Sequence, residues 1–152
     1  MNIPDIAVQV QHVLAPAVMI SSSALLLLGF QTKFSNLANR FRSLNDERRR
    51  LLQKEKRLVQ DEARLESLVS QINYLMKRAA HIQSAILSTY FAILCFTATS
   101  LMIFIDYHIA GELWKIAYIP FLGGFLFVSN AALYIIRETR LFYKVMVLEQ
   151  KS

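Results

Sequence analysis

The sequence predicts an all-α polytopic membrane protein: three transmembrane helices, with a cytoplasmic, coiled-coil-like helical stalk between the first and the second. Three observations carry this expectation. Ile6–Thr32, Ala79–Ile105 and Ile116–Ile136 contain no Asp, Glu, Lys or Arg. No Gly or Pro occurs from Phe30 to Ala110, which favours uninterrupted helix. Between the first two windows, apolar residues recur every seven positions. The chain is 152 residues long, 55% hydrophobic and 18% charged, with a mean hydropathy of +0.35. A soluble domain carries roughly 25% charged residues and could not hide three such windows in one core. The single cysteine, Cys95, excludes a secreted disulfide scaffold. The scarcity of Gly (4) and Pro (3) argues against disorder and loop-rich β architectures.

Residues 1–32 are assigned to an outer N-terminus and a first span near Val13–Phe30. A bilayer core of about 30 Å needs about 20 apolar residues in helix, and all three windows reach that length. The first is not read as a signal peptide. Only Asp5 is charged before it, and Ala15-Pro16-Ala17 precedes the Leu25–Leu28 run, the wrong order for a cleavage site. Residues 79–105 hold the second span, near Ile82–Ile105, 106–115 an outer loop, 116–136 the third span, and 137–152 a C-terminal helix. Orientation follows from basic residues. Lys33–Arg78 carries 12 basic and 6 acidic residues and the tail from Arg137 4 and 2, whereas the 106–115 loop has Lys115 against Asp106 and Glu112. Basic segments stay inside, so the stalk and the C-terminus are expected on the cytoplasmic side, with the N-terminus outside. Tyr107, Trp114 and Tyr118 mark the outer boundary; Phe30, Phe34 and Tyr134 mark the inner one.

The stalk, 33–78, follows the heptad of Phe30, Leu37, Leu44, Leu51, Leu58, Leu65 and Ile72, with Leu68 and Leu75 completing an a/d seam. This seam, together with the paired glycines Gly123 and Gly124, supplies candidate oligomer-packing residues. The same pattern serves an intersubunit coiled coil or a helix packed on its neighbour within one subunit. The chain must also reverse direction inside 33–78. Ser43-Leu44-Asn45-Asp46-Glu47 has the best capping chemistry. A turn there leaves unequal arms of about 21 and 48 Å, which a second bend near Gln60-Asp61-Glu62 or a tilted segment at 46–59 would reconcile.

The run Leu14-Ala-Pro16-Ala-Val…Ser21-Ser-Ser23-Ala-Leu-Leu-Leu-Leu-Gly29, then Asn36-Leu-Ala-Asn39-Arg40-Phe-Arg42-Ser-Leu44, resembles a family of small bacterial inner-membrane proteins catalogued as a domain of unknown function. The stretch Leu75-Met-Lys-Arg78-Ala-Ala-His-Ile-Gln-Ser-Ala85 is similar to the start of that family's second span. Lys33 stands where an arginine is expected. The resemblance covers nearly the whole chain and implies a bacterial inner-membrane setting. It implies no reaction, ligand or site residue.

Candidate chemistry is sparse. Ser84, Ser88, Ala92, Cys95 and Thr99 share one face of span 2, suited to close helix packing or to a hydroxyl-lined pore. In span 1, two ridges pass through Ala17, Ser21, Ala24 and Leu28 and through Ala15, Met19, Ser22, Leu26 and Gly29. Pro16 removes a backbone donor there. Gln11, His12, Pro16, Ser21, Ser22, Ser23, Ser84, Ser88 and Thr99 are therefore the candidate pore-lining residues. Lys33, Arg40, Arg42, Lys77, Arg78, Arg137 and Arg140 are candidates for a cytoplasmic mouth or for contact with anionic lipid headgroups. The spans hold no ionisable carboxylate or base, which disfavours a coupled transporter. His12, His81 and His108 are dispersed, and Asp106, His108 and Glu112 have no metal-ligand spacing, so neither metal, cofactor nor enzyme is expected. Arg48-Arg49-Arg50 lacks interleaved aromatics and a nucleic-acid fold motif, so no nucleic-acid partner is expected. Two functions remain: a homo-oligomer forming an ion-conducting pore, or a non-conducting scaffold or regulator that binds a partner through its stalk.

Overall fold

A computed structural model describes residues 3–54, 59–109 and 114–149, with side chains over 14–54, 59–106 and 116–140. Among these residues all regular structure is helical: α1 (Ile3–Leu52), α2 (Val59–Ile109) and α3 (Trp114–Glu149). At 1.5 Å per residue they are about 75, 77 and 54 Å long. Each contains a segment long and apolar enough to cross a membrane, with mean hydropathies of 1.7, 1.9 and 1.8. Leu25 (71% exposed) and Leu126 (72%) project outward from these segments. Such faces are unfavourable in water and at rest in hydrocarbon. The protein is thus an integral membrane protein by length and composition.

The reversal differs in place from the best capping candidate. α1 runs unbroken through Ser43–Glu47, and the chain turns between Leu52 and Val59. Two physical signals meet there. Arg49 and Arg50 occupy the last turn of α1, and Asp61 and Glu62 the first turn of α2, each complementing a helix dipole. The Gln53 amide donates to the Arg49 carbonyl at 3.1 Å and closes the final turn. Lys54 reaches across to Asp61 at 3.1 Å, and Arg64 to Glu47 at 2.8 Å. The arms Lys33–Leu52 and Val59–Arg78 are then equal, each about 30 Å. The heptad leucines explain why Asn45 and Asp46 do not cap: a break there would take Leu51 off the apolar seam that Leu37 and Leu44 begin.

α2 lies between the other two helices and packs along both, whereas α1 and α3 barely meet among the described residues. All three seams keep a seven-residue period. On α1, Pro16 and Ser23 are buried, and Phe30, Leu37, Leu44 and Leu51 half-buried. On α2, Leu68, Leu75, Ile82, Thr89 and Phe96 are buried, joined by Ala85, Ala92 and Thr99. On α3 the buried set is Ala117, Gly124, Ala131 and Glu138. A sustained seven-residue repeat keeps one face toward its partner over many turns. The hairpin and the membrane bundle are therefore one continuous packing arrangement. The heptad residues Leu37, Leu44, Leu51, Leu65, Leu68, Ile72 and Leu75 are all buried or half-buried within the single chain, while Leu58 lies outside the described residues. Leu68, with no exposed surface, anchors the stalk. Leu68→Ala is expected to destabilise the hairpin by about 2–5 kcal/mol. Limited proteolysis should then cut within 46–66 well before it cuts the membrane segments.

Candidate functional site

Among the described residues, the one buried charge lies where the charge-free windows end. Lys33 follows the first, Arg78 precedes the second, and Glu138 comes two residues after the third. The equal arms and the antiparallel course of α1 and α2 bring these three positions to one level. Glu138 is 3% exposed. Its Oε1 accepts from both the Nε (2.9 Å) and the Nη2 of Arg78, whose side chain is 14% exposed. Lys33 Nζ lies 3.7 Å from Glu138 Oε2 and is half in solvent. A carboxylate buried this deeply is tolerated only when it is paired and hydrogen-bonded, and the guanidinium supplies both. The clamp joins all three helices: α2 to α3 through a buried pair, and α1 to α3 through a partly solvated one. Beside it, His81 of α2 and Tyr134 of α3 approach ring to ring, with centroids 6.4 Å apart.

Sequence reasoning missed Glu138. The signal was present: Ala117, Gly124, Ala131 and Glu138 form a heptad of small residues that ends in an acid. Of the predicted basic residues, Lys33 and Arg78 are brought together on this carboxylate. Arg40, Arg42, Lys77, Arg137 and Arg140 are exposed, and among the described residues no ion pair gathers them into one site.

The hydroxyl candidates divide by location. Ser23, Ser88 and Thr99 are buried between helices, as is Thr89, and Pro16 is fully enclosed. Thr89 and Thr99 donate to the carbonyls of Ala85 and Cys95, both at 2.9 Å. Ser84 is half-buried and donates to Ala80. Ser21 and Ser22 are exposed on α1 and donate to Ala17 (3.1 Å) and Val18 (2.9 Å). Back-bonding of this kind satisfies a hydroxyl where no water is available. The side chains of Gln11 and His12 lie outside the described residues, as do those of Tyr107, His108, Glu112 and Trp114. Gln31 donates to the Tyr90 hydroxyl at 3.1 Å, a second polar tie between α1 and α2.

The paired glycines sit on the α2–α3 seam. A Cβ on Gly124 would fall 2.6 Å from the Phe96 ring, while one on Gly123 would meet only Cys95 Sγ at 3.8 Å. Gly124 thus exists to let the fully buried Phe96 lie against the backbone of α3, where it meets Phe121 edge-on with centroids 5.7 Å apart. Phe91 stacks on Phe127 at 5.5 Å further along the same contact.

Residues 13–147 match the family model described as "Protein of unknown function (DUF2721)". The chain belongs to this DUF2721 family. The matched region takes in all three spans, the hairpin and the Lys33, Arg78 and Glu138 positions, so the family unit is the whole bundle. No curated protein matches the chain significantly. No solved structure does either.

Proposed function

We propose that this DUF2721 protein is a non-catalytic, non-conducting membrane scaffold. It self-associates in a bacterial inner membrane and holds its helical hairpin rigidly in the cytoplasm as a docking element. One observation carries the reading. The Glu138 clamp fixes the angle of the stalk to the bundle at the level where the spans end, and the seams continue through that level without a break. A rigid, charged projection about 30 Å long suits presentation of a surface. The positive-inside count supports the orientation. The exposed Arg40, Arg42, Lys77, Arg137 and Arg140 suit anionic lipid headgroups near the membrane.

A second reading, an ion-conducting homo-oligomer, is favoured by one feature: Ser21, Ser22 and Thr32 form an exposed hydroxyl arc on α1 leading toward Lys33. Three helices cannot enclose an aqueous path, so this reading needs several α1 helices around an axis. It is weakened by the burial of Ser23, Ser88 and Thr99 within one chain. Purified protein in liposomes decides between them. The scaffold reading expects neither chloride nor potassium flux above empty vesicles over a range of voltage, tension and pH. Flux that falls on Ser21→Leu or Ser22→Leu would replace it with the pore.

A further inference from the structure

Among the described residues, the far end of the hairpin carries charge that the ion pairs within the chain do not neutralise in full. Two bridges, Glu47–Arg64 and Lys54–Asp61, tie the arms together. The rest of the described charge is mostly basic on α1, which exposes Arg48, Arg49 and Arg50 beside one acid, Asp46, and acidic on α2, which exposes Glu62 and Glu66. No ion pair engages these three arginines and two glutamates among the described residues. Nor does the membrane surface compensate them. Arg49 is sixteen residues along the helix from Lys33, about 24 Å, whereas charge is screened within about 8 Å at physiological ionic strength.

Lys33 and Arg78 share Glu138 and so mark one height on α1 and α2. Measured from that level, Arg48 is fifteen residues up α1 and Glu62 is sixteen residues up α2, a difference of about 1.5 Å. Every copy in one membrane sits at the same depth. The basic face of one hairpin and the acidic face of its neighbour are therefore presented at matching heights, with no adjustment along the membrane normal. A polyanion would answer only the arginines of α1 and leave Glu62 and Glu66 unmatched. A second copy of this chain answers both signs at once.

We infer that neighbouring copies associate head to tail, with Arg49 of α1, flanked by Arg48 and Arg50, in one hairpin set against the Glu62/Glu66 face of α2 in the next. This rests on the self-association in the proposed function and deepens it: the contact is heterologous, so it builds rings or rows rather than closed two-fold pairs. Exposed ion pairs contribute little affinity each, and here they set partner face and register while the membrane segments supply the contact area.

The test uses full-length chains, all Cys95→Ala, in native membranes. One version carries Arg49→Cys, the other Glu62→Cys, with different tags. Oxidation of membranes holding both is expected to give a disulfide-linked dimer bearing both tags, at least several-fold stronger than the same-tag dimer from either version alone. That mixed product falls as salt is raised before oxidation. Charge exchange gives a second readout. Chains with Glu62→Lys and Glu66→Lys, or with Arg48→Glu, Arg49→Glu and Arg50→Glu, lose higher-order assembly separately and recover it when co-expressed. Same-position dimers that match or exceed the mixed one overturn the head-to-tail contact, as does an oligomeric mass in nanodiscs with no mixed product; self-association survives either result. A strictly monomeric mass in nanodiscs overturns both.

Discussion

Glu138→Gln is expected to loosen the whole bundle, lowering stability by about 3–5 kcal/mol, because it leaves the Arg78 guanidinium in a largely enclosed site without its counter-charge. The loss comes mainly from the orphaned cation rather than from the missing bond. Removing both charges together separates the two contributions. Glu138→Leu combined with Arg78→Met keeps apolar volume in the seam and removes both desolvation costs, so the double variant should recover most of the stability lost by Glu138→Gln. Lys33→Ala should cost no more than about 1 kcal/mol, since its ammonium is half solvated and 3.7 Å from the carboxylate. Thermal unfolding in detergent, followed by helix content and by protection from protease, ranks the three variants. A Glu138→Gln variant as stable as the unaltered chain would show that the clamp is not what ties the stalk to the spans.

That residue also marks the limit of what the sequence discloses. The spans are legible because twenty or more consecutive positions without a charge have few physical explanations besides lipid. The stalk seam is legible because leucines at Leu37, Leu44 and Leu51 repeat too regularly for a loop. Capping chemistry misleads at Asn45 and Asp46: both residue types suit a helix start, but here a continuous apolar seam outweighs the local preference. The turn is instead announced by charge, with arginines closing one helix and acids opening the next. Glu138 stayed hidden because it is one acid among basic neighbours, Arg137 and Arg140, and charge counting treats the three alike. Only its position in the heptad of Ala117, Gly124 and Ala131 distinguishes it. The hydroxyls pose the opposite problem. Serines and threonines on one face satisfy a packing requirement and a pore requirement equally, and a single sequence contains nothing to separate them.

Gly124→Val is expected to have the second largest effect, and the paired glycines make it a controlled comparison. At Gly124 the first added carbon already lies 2.6–2.9 Å from three atoms of the Phe96 ring. That ring is fully buried and held edge-on by Phe121, so it cannot swing aside, and α3 must move away from α2. Even Gly124→Ala should cost about 1–3 kcal/mol, the range for overpacking in a filled core, and Gly124→Val more. Gly123→Ala meets only the Cys95 sulfur at an ordinary contact distance and should be close to neutral, helped by the better helix propensity of alanine. If the clash with Phe96 is the cause, Phe96→Leu in the Gly124→Ala background restores part of the loss, although Phe96→Leu alone destabilises. If Gly123→Ala and Gly124→Ala prove equally harmful, the glycines serve some contact other than the α2–α3 seam. The comparison also bears on assembly. Gly124, buried against Phe96 within one chain, is unavailable to a neighbouring copy, so the close approach it permits serves the α2–α3 seam rather than a contact between copies.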